Sequence, residues 1–185
     1  MKRILSLCIL MVLLTGCSRS DQRIERCMGL RSRLLAGGCS FTAEITADYG
    51  DKLHTFTLEC TGDDQGDLGF TVVSPDSISG VTGEITGEYG AFTFDDEVLY
   101  FDLLADDTLS PVSAPWILLK TLRGGYLTSA GAEGDLLLLT IDDSYAEDAL
   151  HLDIWLNEQD LPVRCEILYD GRRILSLDIR DFTFL

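Results

Sequence analysis

From Cys39 onward the chain keeps a period of two. Phe41, Ala43, Ile45, Ala47 and Tyr49 alternate with Thr42, Glu44, Thr46 and Asp48, the pattern of a strand with one buried and one wet face. In a helix the same positions would scatter around the circumference and leave no apolar stripe. Gly50-Asp51 is a turn signal, and His54, Phe56, Leu58 and Cys60 then alternate with Thr55, Thr57 and Glu59. The two runs predict an antiparallel hairpin.

Short strands follow at 69–73, 81–89, 91–94 and 98–104, divided by the polar stretch 61–67 and by Pro75-Asp76, Gly90 and Asp95-Asp96. The period then changes. After Ser110-Pro111, residues 114–123 carry Trp116, Ile117, Leu119 and Leu122 at helical spacing, with Gly124-Gly125 as a stop. Strands resume at 135–141, 150–156, 161–169 and 173–184, with Asp170-Gly171 as a tight hairpin turn. In the last of them the apolar parity shifts between Ile179 and Phe182, which predicts a bulge near Arg180-Asp181. Ahead of the first strand, Ile24, Cys27, Met28, Leu34 and Leu35 predict a helix over 21–36, closed by Gly37-Gly38 as a left-handed cap.

The order is helix, about five strands, helix, about four strands. With no helices between successive strands, a parallel sheet is excluded in favour of an antiparallel meander. The expected class is α+β: a single curved antiparallel sheet, an unclosed half-barrel, with the helices on its concave side.

The start of the chain has another character. Lys2 and Arg3 precede the apolar run 4–14, which is too short to span a bilayer and reads as a secretory signal. The run ends in Leu14-Thr15-Gly16-Cys17, which resembles the lipobox of bacterial lipoprotein precursors. That resemblance implies a diacylglyceryl (palmitate-type) membrane anchor on Cys17; an ordinary cleaved signal is the alternative. The expected organisation is signal peptide at 1–16, lipidated tether at 17–20 and one domain over 21–185. The anchor would hold the protein on the extracytoplasmic side of a cell membrane. In an organism with an outer membrane, Ser18 lacks the aspartate that retains enteric lipoproteins in the inner one, so the outer membrane is expected.

The formal charge is −17, and losing Lys2 and Arg3 with the signal leaves −19. Such a body repels phosphates, so nucleic acid is excluded as a partner. Five of the twelve remaining basic residues, Arg19, Arg23, Arg26, Arg31 and Arg33, lie beside the anchor. They could meet anionic headgroups or form a solvated helix face. Four cysteines remain: Cys27, Cys39, Cys60 and Cys165. Export permits disulfides among them, their apolar setting equally suits buried free thiols, and no C-x-x-C pair suggests a metal.

With Leu161-Pro162-Val163-Arg164 and the Tyr169-Asp170-Gly171 turn closing this element order, the chain resembles the LolA/LolB/RseB-like lipoprotein-carrier superfamily. Within it, the strand starting at Cys39 just after a helix is similar to the GerS-related germination lipoprotein group. The resemblance implies a half-barrel whose concave face can admit acyl chains, here Phe56, Leu58, Phe70, Val72, Phe92, Phe94, Phe101, Trp116 and Leu119; the same residues also suit a plain core. It also implies, through the germination group, partnership with a cell-wall amidase. The aromatic and arginine residues that carriers place after the third strand are not evident around 74–79, and an anchored protein cannot be a soluble shuttle.

No catalytic motif is evident: there is no H-E-x-x-H, G-x-S-x-G or P-loop. His54 falls on an apolar face and reads as core, while His151 alternates onto the polar side. The acidic clusters at 63–67, 95–97, 106–107 and 142–148 read as solvated turns, with weak extracellular calcium binding as the alternative; the first lacks the spacing and terminal glutamate of an EF-hand loop. No metal or cofactor is expected. The sequence therefore points to a non-catalytic binding module for an envelope protein partner. A receptor for lipid or lipoprotein acyl chains is the alternative, and a cell-wall hydrolase the third reading.

Overall fold

The computed structural model describes residues 21–185 apart from 51, 88, 95–96, 102–103 and 106–107, and only the backbone of 94, 101, 104–105 and 108. The signal, the tether and Cys17 lie outside the described residues, as do the side chains of Phe94 and Phe101.

Eleven strands form one antiparallel sheet. In chain order the strands are β1 (Cys39–Asp48), β2 (Leu53–Gly62), β3 (Leu68–Ser74), β4 (Thr82–Ile85), β5 (Gly90–Phe94), β6 (Glu97–Phe101), the small separate hairpin β7 (Leu104–Ala105) and β8 (Thr108–Leu109), then β9 (Tyr126–Glu133), β10 (Leu136–Asp142), β11 (His151–Leu156), β12 (Pro162–Tyr169) and β13 (Arg172–Phe184). The spatial order is β6-β5-β4-β3-β2-β1-β13-β12-β11-β10-β9, so the first and last strands pair at the centre and β6 and β9 are the edge strands. Two helices complete the fold, α1 over 21–36 and α2 (Ala114–Gly124).

Alternation sets which residues share a face. One transverse row runs Leu139, Ile154, Cys165, Leu177, Ile45 and Phe56, each opposite the next. Such inner-face residues join Cys27, Leu30 and Leu34 of α1 and Leu118, Leu119 and Leu122 of α2 in a single core. The expected open antiparallel sheet with helices on one face is what the chain forms.

Helix α2 is apolar almost all round because it is enclosed almost all round, with eight of its eleven residues buried. It starts at Ala114-Pro115, where a proline near the first helical position removes no needed donor. Its buried Thr121 hydroxyl has no hydrogen-bond partner.

The helix stops work differently from expectation. None of Gly37, Gly38, Gly124 and Gly125 takes a left-handed conformation. A Cβ on Gly38 would lie 2.8 Å from the Gly62 carbonyl oxygen, and one on Gly125 2.6 Å from Ile141. Glycine is there to let backbone approach backbone, not to turn the chain left-handed. At Asp170-Gly171 the left-handed expectation holds, with φ of 48° and 70°, the geometry of a type I′ hairpin turn. The bulge also forms: Asp181 takes φ 54°, the β1–β13 register slips there, and Phe182 turns inward to stack on Phe41 at 5.3 Å.

One strand of the large sheet escaped the sequence reading, as did the short β8. β9 is Tyr-Leu-Thr-Ser-Ala-Gly-Ala-Glu with no fully buried residue. An edge strand of small residues has little apolar alternation to reveal it. The 81–89 run is likewise shorter in the structure, ending at Ile85.

Candidate functional site

The residues read as a possible acyl groove are placed as follows. Leu58, Phe70, Val72, Trp116 and Leu119 are buried in the core, and Phe92 is partly buried against it, edge-on to Phe70 at 5.7 Å. Trp116 is fixed by its indole N–H, which donates to the Gly66 carbonyl at 3.0 Å. Phe56 is half-buried near the margin of the inner face. The described members other than Phe56 thus belong to the core or pack against it.

A cavity of about 290 Å³ does exist, beside the loop joining β10 to β11. Leu109, Leu150, Tyr169 and Ile174 give it apolar walls, and Asp143 and Asp148 stand with them. The Asp143 carboxylate already accepts the Leu150 N–H at 2.8 Å. None of the expected groove residues lines this cavity.

All four described cysteines are buried free thiols. Burial pushes each thiol pKa upward, most strongly at Cys60 and Cys165, so they stay protonated and unreactive. Neighbouring Cys39 adds to the effect on Cys60.

Of the two histidines, His54 is exposed, which corrects the reading of it as core. Its ring lies 6.3 Å from Tyr49 and 6.4 Å from Phe56 at the end of the inner face, where the helices no longer cover the sheet. His151 is exposed and pairs with Asp142. The first acidic cluster builds its own turn, since the Asp63 carboxylate accepts the backbone N–H groups of Gln65, Gly66 and Asp67 at 2.9–3.0 Å.

The described arginines of α1 each contact another part of the fold, Arg33 from an exposed position. Arg31 donates to the Leu122 and Gly125 carbonyls, both at 2.8 Å, and so caps the C-terminus of α2. Arg123 returns the contact, donating to the Leu34 carbonyl of α1 at 3.1 Å and to the Asp63 carbonyl. Arg26 pairs with Asp160 and donates to the Asn157 carbonyl, while Arg33 lies 3.8 Å over the Phe184 ring. Each helix thus lends the other a cation for its negative end. The five-arginine run signalled charge, but only the tertiary fold shows that its described members are latches.

What the structure leaves open is the β6 end of the sheet. Val98, Leu99 and Tyr100 are 53%, 68% and 66% exposed, one after another along an edge strand. On the outer face Tyr89 packs edge-on to Tyr100 at 5.3 Å, and a hollow of about 330 Å³ is lined by Thr82, Tyr89, Ala91, Thr93, Val98 and Tyr100. The opposite edge is guarded, because Arg23 of α1 reaches the Ala130 carbonyl of β9. A sequence signal for this asymmetry exists. Residues 53–119, which hold β2 to β8, contain thirteen acidic residues and no lysine or arginine.

No protein-family model matches the chain, and no curated protein matches it in sequence. Its likeness is to solved structures. A LolA superfamily protein from Nitrosomonas europaea is 10% identical with a TM-score of 0.47, over 90% of this chain and 93% of that one. An uncharacterised conserved protein from Thermus thermophilus is similar at 10% identity and a TM-score of 0.49, over 90% and 88%. A chain in the complex of the CwlD amidase from Clostridioides difficile with the GerS lipoprotein is similar at 16% identity and 0.44, over 80% and 86%.

Proposed function

We propose that this chain is a lipid-anchored, non-catalytic binding module of the cell envelope. Cys17 carries the diacylglyceryl anchor after removal of residues 1–16, and the LolA-like domain presents the β6 edge to a protein partner. The observation that carries the reading is the contrast between a core occupied by α2 and an edge strand with three consecutive exposed apolar residues. An edge strand offers unpaired backbone groups to an incoming strand, and flanking hollows select its side chains. The all-acidic half around β6 selects a partner with a basic face. A wall-processing enzyme of the envelope is the expected class.

A photo-crosslinker at Tyr100 tests this in cells, with a second at Ser129 on the guarded β9 edge as comparison. A defined envelope protein joined through position 100, in lower yield when salt is raised before irradiation and lost once Val98 is replaced by Lys, is the expected result. Equal products from both positions, or none, overturn it. Native mass spectrometry addresses the alternative: non-covalent lipid retained by the purified protein would favour the acyl-chain receptor.

A further inference from the structure

Helix α1 has three faces. Cys27, Leu30 and Leu34 enter the core, and Arg23, Arg26 and Arg31 reach neighbouring segments. A third stripe is apolar yet uncovered: Ile24, Met28 and Leu35 are 43%, 50% and 56% exposed. At 100° per residue these three lie within about 40° of arc, along roughly 16 Å of helix. Arg31, between them on the helix, reaches the Gly125 carbonyl. β9 starts at the next residue with the exposed Tyr126, whose ring packs on the still more exposed Tyr145. The helix stripe is apolar, and the nearby tyrosine pair is of the residue type that settles at the boundary between acyl chains and headgroups.

We infer that this face of α1, with Tyr126 and Tyr145, rests on the membrane that bears the anchor. The inference depends on the proposed lipid at Cys17, because the tether names the occupant. Four residue steps separate Cys17 from Asp21, and even fully extended they reach only about 14 Å. The start of α1 is therefore held within that distance of the lipid surface, at an effective concentration that makes even a weak apolar contact persist. A protein partner would have to enter this gap. The contact is apolar in origin, since the described arginines of α1 are engaged within the fold and Asp21 and Glu25 lie on its outer side.

A geometric consequence joins the two surfaces. α1 touches β9, the β11–β12 turn and β13. β6 lies ten strand spacings from β9, about 48 Å along the curve of the sheet. With α1 on the membrane, the docking edge is carried away from the lipid and toward the envelope space.

The test uses the lipidated protein in vesicles of phosphatidylcholine brominated on its acyl chains. Met28→Trp places a reporter in the stripe, and Leu53→Trp places one on exposed β2 as comparison; Trp116 and Trp155 are buried and supply the background. Brominated lipid should at least halve the added emission of M28W and leave that of L53W unchanged. Ile24→Glu with Leu35→Glu in the M28W background should abolish the quenching. Adding anionic lipid should not strengthen it. Palmitate incorporation measured on the same preparation separates the two failures. Label present with M28W unquenched, whether the helix is solvated or covered by protein, overturns the membrane face alone. Label absent removes the anchor and this inference with it.

Discussion

Replacing Arg31 with Met should destabilise the protein far more than replacing Arg33 by the same residue. The stem of the side chain keeps its packing in this variant, and only the guanidinium is lost. Two hydrogen bonds of 2.8 Å go with it, to Leu122 and Gly125, residues that are themselves buried. A hydrogen bond from a charged donor contributes about 1.5–3 kcal/mol, and the favourable charge at a helix C-terminus adds about 0.3–1 kcal/mol. Water can reach part of the site, so the lower end of each range applies and the cost is about 2–4 kcal/mol. For a chain of this length that is a fall in Tm of roughly 4–16 °C. Urea unfolding followed by the emission of Trp116 and Trp155 measures it. Arg33→Met is the comparison, since it loses a contact with the Phe184 ring at an exposed site, worth about 0.5–1 kcal/mol. Arg123→Met removes the reciprocal latch between the same two helices, so the double variant should cost less than the sum of the singles. If R31M costs no more than R33M, the latch is a surface contact without energetic weight and the account of how α1 is held is wrong.

Thr121→Val exchanges an unpartnered buried hydroxyl for a methyl of similar shape, so stability should be unchanged or raised by up to about 1 kcal/mol; a loss above that would reveal a partner for the hydroxyl. Gly125→Ala should cost about 1–3 kcal/mol by forcing a Cβ into Ile141 and the Asp142 carbonyl, whereas Gly124→Ala, with open space around it, should cost nothing, and equal effects in thermal unfolding would refute the close-approach explanation. Leu58→Ala should cost about 2–5 kcal/mol without altering lipid co-purification, as suits a core residue and not a ligand contact. The buried thiols should resist alkylation until the chain unfolds. They also set an alkaline limit: unfolded cysteines release protons near pH 8.5, the folded ones hold theirs, so stability is full below that pH. Above it each fully buried thiol lowers stability by up to about 1.4 kcal/mol per pH unit, and Cys165→Ala should flatten that decline.

Much of the fold was legible in the chain because its causes are local. Alternation gave β1, β2, β10 to β13 and the face each buries, since a strand with one wet side must place apolar residues at every second position. The Asp-Gly turn and the bulge at Asp181 were equally readable, one from residues suited to positive φ and the other from a slip in parity. β9 was not, because an edge strand of small residues buries too little to need a pattern. The glycines after α1 were recognised as a stop for the wrong reason, because close approach of two backbones is a property of packing and leaves no mark on sequence spacing.

The site divides in the same way. Sequence alone determined that a charged, apolar and then Leu-Thr-Gly-Cys start precedes one acidic domain of antiparallel strands, and that no catalytic constellation is written into it. Only the tertiary structure decided that Arg31 caps α2 and Arg123 caps α1, that the leucines of α2 enter the core, and that three consecutive apolar residues of β6 stay exposed. Those outcomes depend on which residues meet across scores of positions. Charge and hydropathy state what a side chain prefers, while the distance to its partner is set by the whole packed sheet.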